Sequence, residues 1–319
     1  MTDTNGVPGT IAVTLIAGYL GAGKTTWLNA HLRQGCGADT LVLVNDFGTL
    51  NVDAELIEHQ GQHLLALSSG CLCCSLSDEL GVQLSRLARW EQPPTSLIIE
   101  TSGVARPGRI ADLIRVARRY HLERIVTLVD LSTLTARLDD RRVGDLVAEQ
   151  IIGATELVVN RAALLSPTSR QAAWQRLSAL APATTPIVCQ SDAPSLYATV
   201  ENGREPAPAF RAAVTGTGST TAPGPAPGSS LDWQRFSITL PATLHRETLE
   251  ALLSVHQHAL ARAKGFIDCA GRRYVFQWSG GRSSWTPTAP GRGGPSQLIG
   301  IGFRGVALAQ LIAALEELA

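Results

Sequence analysis

Gly18-Tyr19-Leu20-Gly21-Ala22-Gly23-Lys24-Thr25-Thr26 is the stretch whose reading decides the fold. It fits G-x-x-x-x-G-K-[ST], a pattern whose glycines let backbone N–H groups curl around phosphate. Its surroundings fit as well. An apolar run, IAVTLIA (11–17), precedes it as a predicted strand, and a helical pattern over 24–34 follows. A helix N-terminus there adds partial positive charge to the amide cradle. In this arrangement Gly18, Gly21, Ala22 and Gly23 surround the phosphates, and Lys24 reaches the β and γ phosphates. Thr25 is placed to hold Mg²⁺, with Thr26 beside it. The plain alternative is a glycine-rich turn with an incidental lysine.

Composition argues against that alternative. Of 27 Lys plus Arg residues only two are lysines, Lys24 and Lys264. A chain that drifts so far toward arginine should keep lysine where a planar guanidinium fails. A tight phosphate cradle is such a place, because it takes a compact ammonium on a flexible stem.

A phosphate loop also needs a carboxylate at the end of a neighbouring strand to organise the metal. Glu100 closes the apolar run SLIIE (96–100) and opens Glu100-Thr101-Ser102-Gly103, whose Gly103 amide is placed to sense a γ-phosphate. Asp130, at the end of RIVTLVD (124–130), competes for the same role; its bland reading is a strand-end acid facing solvent.

Working outward, further runs rich in Val, Ile and Leu recur at 41–45, 63–67, 155–160 and 186–189. They do not alternate, which is how strands buried on both faces read. Amphipathic stretches separate most of them. The expected fold is α/β: a mostly parallel sheet covered by helices on both faces, occupying residues 1–204. Residues 205–231 are rich in Pro, Ala, Gly, Thr and Ser and read as a linker. Residues 232–319 read as a smaller α+β domain, with one long helix through HRETLEALLSVHQHALARA (245–263) and strands at GFIDC, RRYVFQW and QLIGIGF.

Bulk properties exclude several classes. The chain has 319 residues, 45% hydrophobic and 17% charged, which suits globular domains rather than disorder. A formal net charge of zero gives no electrostatic case for nucleic acid or an anionic membrane. No apolar run approaches the roughly 18–20 residues that span a bilayer. The opening MTDTNGVPGT lacks the basic and apolar regions of a signal peptide, so the expected location is cytoplasmic.

Six cysteines occur, and Cys71, Cys73 and Cys74 fall within four residues after Gly70. That is too crowded for a disulfide framework and suits a soft or borderline ion such as Zn²⁺, Co²⁺ or Cu(I). An extended backbone would send Cys71 and Cys73 to one side and Cys74 to the other, so joint ligation requires a turn, which Gly70 permits. Three ligands leave a fourth position open, as in an exchangeable site. Small-residue packing and disulfide exchange are the alternatives. Cys36, Cys189 and Cys269 read as isolated thiols. His256 and His258, two apart on the expected helix, do not share a face. RVARRYHLER (115–124) reads as a solvated helix face.

With both sites in view the chain resembles the CobW-like family of GTPases, proposed metallochaperones related to the nickel-insertion GTPases of urease and hydrogenase. GYLGAGKTT (18–26), VNDFG (44–48), GCLCC (70–74), ETSG (100–103), EQIIGATELVVN (149–160) and RAKGF (262–266) carry the resemblance, in the family's order. It implies that Lys24, Thr25 and Glu100 handle phosphate and Mg²⁺, and that Asn160 lies in the base-recognition motif. It implies a switch at Asn45, Asp46 and Gly48, with Asp46 a further candidate ligand beside the thiolates of Cys71, Cys73 and Cys74. The implied cofactors are GTP, Mg²⁺ and Zn²⁺ or Co²⁺, and the implied partner is a client metalloprotein. A nucleotide- or metal-dependent homodimer stays open.

Two departures stand out. The family's N-E-F-G is Asn45-Asp46-Phe47-Gly48 here, one methylene shorter. Its N-K-x-D is Asn160-Arg161-Ala162-Ala163, and Ala163 has no carboxylate to accept guanine N1 and N2 hydrogens. GTP, ATP or mixed use stays open on residues alone. A GTP-hydrolysing metallochaperone is the leading expectation; a phosphotransferase or ATPase with structural thiols, and a metal-buffering adaptor, are the alternatives.

Overall fold

The computed structural model of the chain describes residues 10–35, 39–47, 64–69, 75–189, 233–241, 244–288 and 294–318, with backbone alone for 45–47, 64–69 and 75–79. Seven parallel strands form the first sheet: β1 (Ile11–Ala17), β2 (Thr40–Phe47), β3 (Leu64–Ser69), β4 (Ser96–Glu100), β5 (Tyr120–Asp130), β6 (Glu156–Asn160) and β7 (Ile187–Cys189). Their order is β3-β2-β4-β1-β5-β6-β7, so the chain leaves β1 in one direction and returns on its other side. The C-terminal end of β1 is therefore a topological switch point, where such sheets open a crevice for ligand.

Alternate residues of the central strands enter opposite cores. Leu15, Leu43 and Ile99 pack with Leu80 and Leu84 of helix α2 (Ser75–Leu87) and with Ile110 and Ile114 of α3 (Pro107–Val116). Ile16, Val44 and Ile98 instead meet Trp27 and Leu28 of α1 (Lys24–Arg33). Both faces are apolar because both are covered, which explains the non-alternating sequence of these strands. Helices α4 (Leu131–Asp139), α5 (Gly144–Ile152) and α6 (Pro167–Leu180) cover the β5–β7 side.

The C-terminal unit is an antiparallel sheet of order β11-β10-β9-β12-β8. Its strands are β8 (Trp233–Thr239), β9 (Leu260–Cys269), β10 (Arg272–Ser279), β11 (Arg282–Pro287) and β12 (Gln297–Phe303). Helices α7 (Arg246–Val255) and α8 (Val306–Glu316) bury Leu249, Leu253, Leu308 and Leu311 against one face. The two units share a core, for Ala261 and Ile301 join the cluster containing Leu131, Leu134 and Val159.

Three expectations need correction. The long helix ends at Val255, and Leu260–Cys269 is a strand. Ladders to both β10 and β12 claim this Ala-rich segment and outweigh its helix propensity. His256 consequently caps α7, and His258 lies in the turn beyond it. The Arg-rich stretch is split: α3 stops at Val116, and Tyr120–Arg124 begins β5 beside β1. β11, which carries no apolar run, was not anticipated.

Candidate functional site

The loop after β1 needs its glycines. Gly18, Gly21 and Gly23 have φ of 127°, 77° and 96°, backbone that side-chain-bearing residues rarely adopt. A Cβ on Gly18 would also stand 2.3 Å from the Leu128 carbonyl oxygen. Gly23 precedes Lys24, the first residue of α1, so the amide groups of the loop and the helix N-terminus converge. Lys24 is 4% exposed, and its Nζ donates to the carbonyls of Gly18 at 2.9 Å and Tyr19 at 3.3 Å. The ammonium thus lies across the loop.

Thr25 Oγ1 donates to Glu100 Oε1 at 2.9 Å. The pairing of Ile16 with Glu100 in the β1–β4 ladder sets the carboxylate, itself 4% exposed, at the level where the loop begins. Beyond it, a Cβ on Gly103 would stand 2.6 Å from the Leu20 amide nitrogen, so the two loops touch backbone to backbone. Gln150, buried on α5, donates through Nε2 to the carbonyls of Ala105 (2.9 Å) and Gly103 (3.3 Å). Sequence reasoning missed Gln150. A polar residue on the apolar face of α5, between Val147 and Ile151, was the available signal.

Asp130 differs from both readings of it. It neither meets Thr25 nor faces solvent. Its Oδ1 accepts from Ser132 N and Oγ as the cap of α4, and its Oδ2 accepts from Arg161 at 2.6 Å and Arg282 at 2.7 Å. Arg161, in the left-handed region at φ 56°, also donates through Nη1 to the Gly21 carbonyl at 2.7 Å. Asn160 Nδ2 donates to the Ala22 carbonyl. Asn160, Arg161, Ala163, Thr26 and Cys189 line a cleft of about 350 Å³, and among the described residues lining it none is acidic. Behind the loop, burial raises the Tyr19 phenol to about 12, while the Arg137 guanidinium over its ring pulls the other way.

On the far side of the sheet, Asn45 pairs with Leu67 and Asp46 with Ser68 along parallel β2 and β3. Gly48, Cys36, Cys71, Cys73 and Cys74 lie outside the described residues, the last three in the link between Ser69 and Ser75. Cys189 lines the cleft and Cys269 is a buried thiol of the C-terminal sheet. Among the described residues no group of three His, Cys, Asp or Glu side chains is arranged to hold a metal, and no helix is long and apolar enough to cross a membrane.

A phosphate loop at the switch point of a parallel sheet, with a Thr–carboxylate pair before it and an Asn fastened to its back, defines a P-loop nucleotide-binding protein. Residues 12–188 match the family model described as CobW/HypB/UreG, nucleotide-binding domain, and residues 233–319 match the cobalamin synthesis protein cobW C-terminal domain. The chain belongs to the CobW/HypB/UreG family. It is 28% identical over 206 residues to a zinc chaperone CobW of Sinorhizobium, covering 56% of this chain and 58% of that protein. It is 30% identical over 194 residues to zinc-regulated GTPase metalloprotein activator 1 of Dictyostelium discoideum, covering 49% and 41%. The match thus spans about half the length of these curated relatives. The crystal structure of Zn(II)-bound YjiA GTPase from E. coli aligns over 97% of this chain and 99% of that one, with 19% identity and a TM-score of 0.42.

Proposed function

We propose that the chain is a GTP-hydrolysing metallochaperone that takes Zn²⁺, or Co²⁺, on Cys71, Cys73 and Cys74 and hands it to a client metalloprotein in the cytoplasm. The observation that carries the reading is the 2.9 Å bond from Thr25 to Glu100 at the start of a Gly-rich loop. A hydroxyl and a carboxylate held together beside a phosphate cradle are the hard oxygen donors that Mg²⁺ takes. When bound there, Mg²⁺ would neutralise charge building on the β and γ phosphates. In this reading Lys24 binds those phosphates, Gly21, Ala22 and Gly23 donate amides, and Gly103 senses the γ-phosphate across its contact with Leu20. Gln150 holds that sensing loop. Asn160 and Arg161 form the wall beside the base.

The β2–β3 register supports coupling. Asp46 and Ser68 are cross-strand partners, so Asn45 and Asp46 run beside the strand that precedes Gly70-Cys71 in the chain. The relatives' printed descriptions, a zinc chaperone and a zinc-regulated GTPase metalloprotein activator, both name zinc, and the second names a metalloprotein client. The cleft favours one further reading. Without an acidic residue at Ala163, discrimination of guanine from adenine is weakened, and ATP serves as a second substrate.

Purified chain, assayed for GTP and ATP hydrolysis with and without Zn²⁺ or Co²⁺, tests this reading. Bound metal is expected to change the turnover rate, and nucleotide to change metal affinity, since linkage makes the binding effects reciprocal. Replacing Cys71, Cys73 and Cys74 by Ser should abolish both responses. If neither ligand affects the other in the parent protein, the chaperone reading fails and a phosphotransferase with structural thiols takes its place.

A further inference from the structure

We propose that the β10–β11 turn of the C-terminal sheet backs the phosphate loop, and that nucleotide occupancy and the seating of that sheet are linked through the Asp130 carboxylate. The inference rests on the nucleotide-binding reading above and adds a partner to it, the C-terminal domain itself.

The turn is short and stiff. Ser279 pairs with Arg282, and the two residues between them, Gly280 and Gly281, have φ of 58° and 76°. Two consecutive left-handed residues make the tight hairpin turn that matches strand twist, and glycine adopts both with no Cβ penalty. Ser279, the residue that enters the turn, rests on the phosphate loop. A Cβ added to Gly21 would stand 2.3 Å from Ser279 Oγ, leaving no room for even a methyl group between them.

A second contact closes the circle. Arg282 Nη2 donates to Asp130 Oδ2 at 2.7 Å, the same oxygen that Arg161 Nη1 reaches at 2.6 Å. Arg161 returns to the loop through its bond to the Gly21 carbonyl. Hairpin, Arg282, Asp130, Arg161 and Gly21 thus form a ring that begins and ends at the Ser279 contact. Asp130 is 8% exposed, and its other oxygen is occupied by Ser132. A carboxylate so enclosed has two cations competing for one oxygen.

Nucleotide acts on this ring at Arg161. A base entering the cleft lies against the guanidinium, and cation–π attraction and phosphate charge draw Arg161 toward it. Asp130, fixed by its bonds to Ser132, then depends more on Arg282, and the hairpin seats more firmly. By reciprocity, a seated hairpin holds Arg161 ready for the base and raises nucleotide affinity. Arg282 is a positioning residue, acting on nucleotide through Asp130 and Arg161 and through the Ser279 contact with Gly21.

The test uses the full chain, with N-methylanthraniloyl-GDP and the matching ADP as probes, and the variants Arg282→Gln and Arg282→Lys. Arg282→Gln should weaken binding about fivefold, with Arg282→Lys in between, while the nucleotide-free melting point changes little. Hydrogen exchange of the 276–284 amides in the parent protein should slow about fivefold when nucleotide binds, and this slowing should vanish in Arg282→Gln. Should that variant fold poorly, the exchange response of the parent protein decides alone. Nucleotide binding without any change in exchange at 276–284 overturns the linkage and leaves the nucleotide site standing. A parent protein that binds neither probe overturns both.

Discussion

Lysine carries opposite meanings at its two positions. Lys24 is buried among carbonyls that accept its protons, whereas burial in the C-terminal sheet pushes Lys264 down from 10.5 to about 7. The sign of the pH effect follows. Lys264 binds its proton less readily when folded than when unfolded, so the charged form opposes folding. That penalty is full below about pH 7, shrinks as pH rises, and is gone above the unfolded value. Lys264→Met, close in volume and without charge, should therefore raise the thermal midpoint most at pH 6, by about 5 °C, and hardly at all near pH 10. A midpoint gain that stays level across this range would contradict the assignment. At this scale sequence served the phosphate loop well. Gly18, Gly21, Gly23, Lys24 and Thr25 are close in the chain, so local spacing encodes their arrangement. Asp130 was misread because its partners, Arg161 and Arg282, stand 31 and 152 residues away.

Elements were legible where burial on both faces wrote a continuous apolar run, as in β1, β4 and β6. They were obscure where long-range pairing decided. The Ala-rich start of β9 has helical preference but lies between two antiparallel neighbours, and β11 is an edge strand whose side chains are largely polar and exposed. The link between α5 and the loop after Glu100 belongs to this scale as well. Gln150 donates to the carbonyls of both Gly103 and Ala105. Gln150→Leu keeps the bulk and leaves two carbonyls without that donor, at a cost of about 1–3 kcal/mol in urea unfolding. Turnover should fall further than stability accounts for, because the loop against Leu20 loosens. Equal activity at equal folded fraction would remove Gln150 from the machinery.

For the whole molecule, the decisive fact is that the two units, besides the cores each has to itself, share a third. Trp233 and Phe303 stack with centroids 4.6 Å apart, Arg142 lies 3.8 Å over the Phe303 ring, and the same arginine donates to the His258 carbonyl. Composition gave no hint of this, since a Pro- and Gly-rich linker reads as independence. Phe303→Ala should cost about 1–2 kcal/mol, appropriate to a half-buried ring, and should lower the unfolding midpoint reported by probes in both units. A midpoint that moves in the C-terminal unit alone would show that the two fold independently.

The burial of both lysines, at 4% and 2% exposure, has a practical side. Acylating esters and lysine-specific proteases find no exposed ε-amine on the folded chain. Covalent capture of Lys24 over time therefore counts the moments when the phosphate loop opens, and a bound nucleotide should silence that clock.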